Sequence, residues 1–174
     1  MKLKRKYVSL FLFLIISSLY FVVIRPNLIS IHEHGHLFGM QLIFPEHQCK
    51  IVYSAEMFDP VIGISRRGSY TICPTVDRSE TTINQQFIAV TSGSAFEFLL
   101  AFIILLSPFS IVGGIWMLGI AKSLLFLNYV HQADFGWMPY WAKFAISVIL
   151  FLLFLVSVLL QKYYIKSFLE RFGN

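Results

Sequence analysis

At 174 residues, 57% hydrophobic and only 13% charged, with 18 phenylalanines, this chain is too apolar for a soluble domain of its size. Its formal net charge of +5 gathers near the ends, in Lys2, Lys4, Arg5 and Lys6 and again in Lys162, Lys166 and Arg171. Basic ends around apolar runs follow the positive-inside pattern of a membrane protein and argue against nucleic acid as a partner.

We therefore read residues 1–174 as a single integral-membrane domain in the lipid bilayer. The expected fold is mainly α: a polytopic, multi-pass transmembrane helix bundle of four to five apolar segments, with a small β-hairpin region at the membrane surface. The first segment is 7–24, uncharged and long enough to span a bilayer. It is long for a signal-peptide core, and no small-x-small cleavage site precedes Arg25, so an uncleaved anchor is preferred. Arg25-Pro26-Asn27 is expected to interrupt it, because proline kinks a helix or starts a new one.

The second segment, 28–44, ends at Pro45 and carries Ile31-His32-Glu33-His34-Gly35-His36-Leu37. His-Glu-x-x-His is a zinc-hydrolase signature. On a helix, residues four apart share a face, so His32 and His36 can offer two imidazoles to one metal. Glu33, next to that face, is the candidate general base and acid. His34 projects to the opposite face and is not expected to bind the same ion. A histidine-rich patch on a surface helix is the plainer alternative, but Leu28-Ile29-Ser30-Ile31 and Leu37-Phe38-Gly39-Met40 are not the flanks of a solvated face. Ionisable groups within apolar segments are costly and point to function.

Residues 45–86 form the one extended polar region. Lys50-Ile51-Val52-Tyr53, Val61-Ile62-Gly63-Ile64 and Ser69-Tyr70-Thr71-Ile72-Cys73 have strand-like content, with a turn at Arg66-Arg67-Gly68-Ser69. Cys49 and Cys73 lie in this region and can pair if it faces an oxidising space. Further transmembrane helices are expected across 87–161, in apolar runs at 87–107, 111–130 and 143–161, with a turn at Pro108. The small residues Ala89 to Ala95 permit close helix packing.

Two charges interrupt these runs. Glu97 and Lys122 lie about equally far from the turn at Pro108, so an ion pair, or Lys122 snorkelling, is preferred to Glu97 as a metal ligand. The third run closes in Asn128-Tyr129-Val130-His131-Gln132-Ala133-Asp134-Phe135-Gly136. A catalytic zinc takes three protein ligands and an open position. Asp134 is the preferred third ligand, with His131 and then Glu97 as alternatives. The opposing reading makes Asp134 and His131 interfacial polar residues beside an aromatic belt of Trp137, Tyr140 and Trp141.

Taken in order, these motifs resemble the site-2 protease family of intramembrane zinc metalloproteases. His32-Glu33-His34-Gly35-His36 matches the family's His-Glu-x-Gly-His. Ala89 to Glu97 looks like its small-residue helix start, with Ser94 in place of the proline after the glycine. Asn128 to Gly136 looks like its Asn…Asp-Gly segment, shortened, without the internal proline, and with Phe135 between Asp134 and Gly136. The resemblance covers roughly residues 28 to 140. It implies that His32, His36 and Asp134 hold zinc, that Glu33 moves the proton, and that Asn128 contacts substrate backbone. The implied reaction is hydrolysis of a peptide bond in or near a membrane segment of another protein. The surface hairpin could add a strand to an unwound substrate.

Two other readings are open from the residues alone. One is a metal-binding or transport protein in which His32, His34, His36, His47 and His131, with Glu97 and Asp134, line an ion path. The other is a catalytically inactive scaffold. On topology, five crossings follow if 28–44 spans the membrane; four follow if it is re-entrant, which places both basic ends inside. Five is preferred.

Overall fold

The computed structural model describes residues 2–53, 57–58, 65–66, 69–77, 79, 81–126 and 132–172. It is mainly helical. Helix α1 (Lys2–Leu19) passes through one π-helical stretch (Tyr20–Ile24) directly into α2 (Arg25–Ile43). Four short strands follow: β1 (Lys50–Tyr53), β2 (Met57–Phe58), β3 (Ser65–Arg66) and β4 (Ser69–Ile72). Then come α3 (Ile83–Leu105), α4 (Ser110–Phe126), the short α5 (Gln132–Phe135) and α6 (Tyr140–Phe172).

The expected break at Arg25-Pro26-Asn27 does not occur. Proline inside an α-helix leaves the carbonyl four residues back without its donor and clashes with it, costing about 3 kcal/mol or more. Here the register widens first: the Arg25 N–H donates to Tyr20 O, five residues back. The wider turn lies directly before Pro26, where the α-register ladder would otherwise lose a donor. The Asn27 amide then donates to Val23 O at 2.7 Å. Segments 7–24 and 28–44 are thus one helix, and Lys6–Ile43 forms one candidate span of 38 residues.

Two further helices are long and apolar enough to cross a membrane, within Ile83–Leu105 and Tyr140–Arg171; the apolar stretch Ser110–Leu125 is shorter. Leu10, Phe11, Leu14, Phe21 and Val22 on the first helix and Phe151, Leu152 and Leu159 on α6 are exposed. So broad an apolar surface suits hydrocarbon and would drive aggregation in water.

The chain divides into two compact units, one formed by residues 1–27 with 98–174 and the other by Leu28–Glu97. In the first, α4 packs on α6 around Trp116, Met117, Leu124 and Leu150, all buried. Gly114 lies against Ser157, where no side chain fits. Ser147 donates to Ala121 O at 3.2 Å. The turn at Pro108 is tied down by Gln161, which is fully buried. Its amide donates to Pro108 O at 3.0 Å, and the Ile111 N–H donates to its Oε1 at 3.1 Å. The first N–H groups of a helix lack internal partners, and in lipid no water can serve them, so Gln161 does so. The expected run over 111–130 is described as far as Phe126, and α6 extends the expected 143–161 in both directions.

In the second unit β1 pairs antiparallel with β4, with Ile51 opposite Thr71 and Lys50 opposite Ile72; β2 pairs with β3. The strand expected at Val61-Ile62-Gly63-Ile64 lies outside the described residues. Cys49 and Cys73 flank the β1–β4 pair and form a disulfide across it. In the segment that follows, Ser79 donates its N–H and its hydroxyl to Asp77, holding that exposed carboxyl below the usual carboxylate range.

The disulfide gives a direct test. A thiol-reactive polyethylene glycol maleimide should add no mass to the denatured, unreduced protein and two labels after reduction. Labelling before reduction would show the cysteines to be free.

Candidate functional site

Helix α2 carries His32, Glu33 and His36, and their surroundings within the second unit are built by α3. The two helix backbones meet closely because the facing positions are small. A Cβ at Gly35 would lie 2.6 Å from Phe96 Cβ and 2.9 Å from Gly93 Cα, and one at Gly39 would strike Ser92. Small residues spaced four apart let helices approach in lipid, where packing replaces the hydrophobic drive.

That closeness fixes both imidazoles. His36 Nδ1 lies 2.8 Å from Ala89 O. A carbonyl only accepts, so Nδ1 carries the proton. His32 Nδ1 lies 2.8 Å from Glu97 Oε1, and this nitrogen also donates. Gly93 sits between these anchors: a Cβ there would lie 2.5 Å from His36 Nε2 and 2.9 Å from His32 Cε1. Ala89, Gly93 and Glu97 are four residues apart and form one line along α3, two holding histidines and one making room for them.

With both protons on Nδ1, both lone pairs are on Nε2. The two Nε2 atoms face each other at 3.0 Å, the rings nearly perpendicular. Two acceptors at that separation repel unless a proton or a cation lies between them. Their spacing is less than twice a zinc–nitrogen bond of about 2.0–2.1 Å, so one ion can reach both. Each nitrogen has its ring partner already hydrogen-bonded, as metal-binding histidines usually do. The two residues fit a divalent ion of zinc's preferences.

Glu33 is also buried, at 8% exposure. The Thr71 hydroxyl, on β4, lies 2.8 Å from Glu33 Oε2 and 3.1 Å from Glu33 O. Thr71 has one hydroxyl proton, and the shorter contact is to the carboxylate. Oε1 is left for other partners.

The remaining sequence candidates have their own surroundings. His34 is exposed, and its Nδ1 bonds to Ser30 O of its own helix. His47 meets Thr75 Oγ1 in the polar segment. Of Glu97 and Lys122, expected to pair unless Lys122 snorkels, the Glu97 carboxylate accepts from His32 and Lys122 is exposed. Glu97 engages Nδ1, on the far side of the His32 ring from Nε2. Asp134 belongs to the other unit, in α5, and is buried at 1% exposure; Trp137 donates to its backbone carbonyl at 2.6 Å. Asn128 and His131 lie outside the described residues.

Sequence reasoning did not find Thr71, since nothing local ties a threonine to a glutamate 38 positions earlier. The line 89, 93, 97 is visible as an i, i+4, i+8 pattern, but in the sequence Ala89 and Gly93 point only to packing and Glu97 to an ion pair or an alternative ligand.

Comparison with known proteins adds no name to this geometry: no family model matches the chain, and no significant match appears among curated proteins or solved structures.

The tight fit at Gly93 has a measurable consequence. Gly93→Ala should leave the helical circular dichroism intact yet weaken zinc binding roughly tenfold or more in a chelator-competition titration, the range expected when a ligand's support is disturbed. Unchanged affinity would mean that the two imidazoles need not hold this placement.

Proposed function

We propose that this chain is a zinc-dependent intramembrane endopeptidase, a divergent and minimal member of the site-2 protease family, acting on a peptide bond in or near a membrane segment of a partner protein. One observation carries the proposal: His32 and His36 present facing Nε2 lone pairs at 3.0 Å, with buried Glu33 adjacent in the chain. Helices long and apolar enough to cross a membrane support a bilayer setting for it.

In this reading His32, His36 and Asp134 hold the ion, each offering one ligand atom. Asp134 is assigned on chemistry: two histidines leave a zinc site incomplete, and a carboxylate oxygen suits zinc as the third ligand. Bound zinc supplies a Lewis acid and makes water acidic enough to be deprotonated near neutral pH.

The chain's own groups then handle the proton. Glu33 takes it from the attacking water and returns it to the leaving amine. Thr71, donating to Oε2, holds the carboxylate in one rotamer and leaves Oε1 for the transfer. The substrate helix has to unwind locally, because a helical carbonyl is already hydrogen-bonded. Water has to reach the site through a polar cavity, since hydrocarbon holds none.

For topology we propose four crossings: the continuous first helix, α3, α4 and α6. Both basic ends then lie on the cytoplasmic side, as the charge rule requires. The Cys49–Cys73 loop falls on the opposite side, where disulfides persist.

Elemental analysis of purified protein is the test. Near-stoichiometric zinc is expected in the wild type and in Glu33→Gln, and loss of it in His32→Ala and Asp134→Ala. Glu33→Gln should also reduce cleavage of a co-expressed membrane substrate by about two orders of magnitude or more. Zinc retained in Asp134→Ala would move the third ligand elsewhere. A well-folded wild type without bound metal would remove the proposal.

A further inference from the structure

Glu97 is an expensive residue where it stands. It is 1% exposed, within a helix apolar enough to cross a membrane. A buried carboxylate costs several kcal/mol unless it is compensated. It meets the His32 imidazole, 65 residues away in sequence, at 2.8 Å, with side-chain exposures of 3% for His32 and 2% for Glu97.

We propose that Glu97 is the positioning residue of the metal site: it holds His32 in the Nδ1–H tautomer and aims its Nε2 at the ion. This rests on the reading that His32 and His36 bind zinc. Free imidazole exchanges its proton between two nitrogens, and the wrong tautomer would leave no lone pair facing His36. A carboxylate on the distal N–H both fixes the tautomer and raises the basicity of the ligating nitrogen. The two histidines are treated unequally. His36 is held by the Ala89 carbonyl, a backbone group that no substitution removes. His32 is held by a side chain, so the metal affinity of this site is set at Glu97. A direct ligand role fits the geometry poorly, because the carboxylate and the facing Nε2 lie across the His32 ring from each other.

The experiment is a cobalt(II) and zinc titration of the full-length protein in detergent, comparing wild type, Glu97→Gln and Glu97→Ala. Glu97→Gln keeps size and an acceptor oxygen and removes the charge. It should weaken zinc binding roughly tenfold, and Glu97→Ala up to about a hundredfold. At saturating cobalt(II) both variants should give the wild-type visible spectrum, because the ligand set is unchanged. Glu97→Gln is close to isosteric, so it decides the matter if Glu97→Ala does not fold. Wild-type affinity in Glu97→Gln would overturn the proposal. An altered cobalt(II) spectrum at saturation would also overturn it, by making Glu97 a ligand. A wild type that binds neither metal would overturn the zinc reading itself, and that outcome is recognised because it needs no variant.

Discussion

Two imidazole nitrogens, the Nε2 atoms of His32 and His36, face one another at 3.0 Å inside an apolar helix pair. The arrangement is unfavourable on its own, and the surrounding structure holds it in place. His36 is pinned by Ala89 O, His32 by Glu97, and Gly93 is small enough to let both rings sit where they do. A helix interface built solely for packing would have no need to bury a carboxylate at position 97. The line of residues 89, 93 and 97 is the support of the proposed cation site.

The same logic explains the glycines. Gly35 and Gly39 on α2 are small because α3 lies against them, and the close approach lets a backbone carbonyl and a short acidic side chain reach the histidines. Thr71 reaches Glu33 from β4, whose pairing with β1 is closed by the Cys49–Cys73 disulfide. Sheet and helix pair thus contribute to one cluster: the sheet holds the Glu33 carboxylate, and α3 holds the imidazoles.

Much of this was legible beforehand. His32, Glu33 and His36 stand out because ionisable residues are rare in apolar segments. Pro45 and Pro108 mark chain reversals, and the apolar runs of α3, α4 and α6 are long enough to read. Pro26 misled, because the helix runs on through it behind a π-helical stretch, and no local pattern announces that stretch. Glu97 misled for another reason. Depth relative to a turn suggested Lys122, while the true partner was fixed by how α3 lies against α2. Contacts between distant segments, such as Thr71 with Glu33, depend on packing that a single sequence does not spell out.

The most direct test of the central claim is X-ray absorption at the zinc edge of the zinc-loaded, full-length protein. The account predicts a four-coordinate site with two imidazoles at about 2.0–2.1 Å and the remaining ligands oxygen. A first shell of oxygen alone, with no imidazole scattering, would contradict it, because His32 and His36 would then face each other for some other reason.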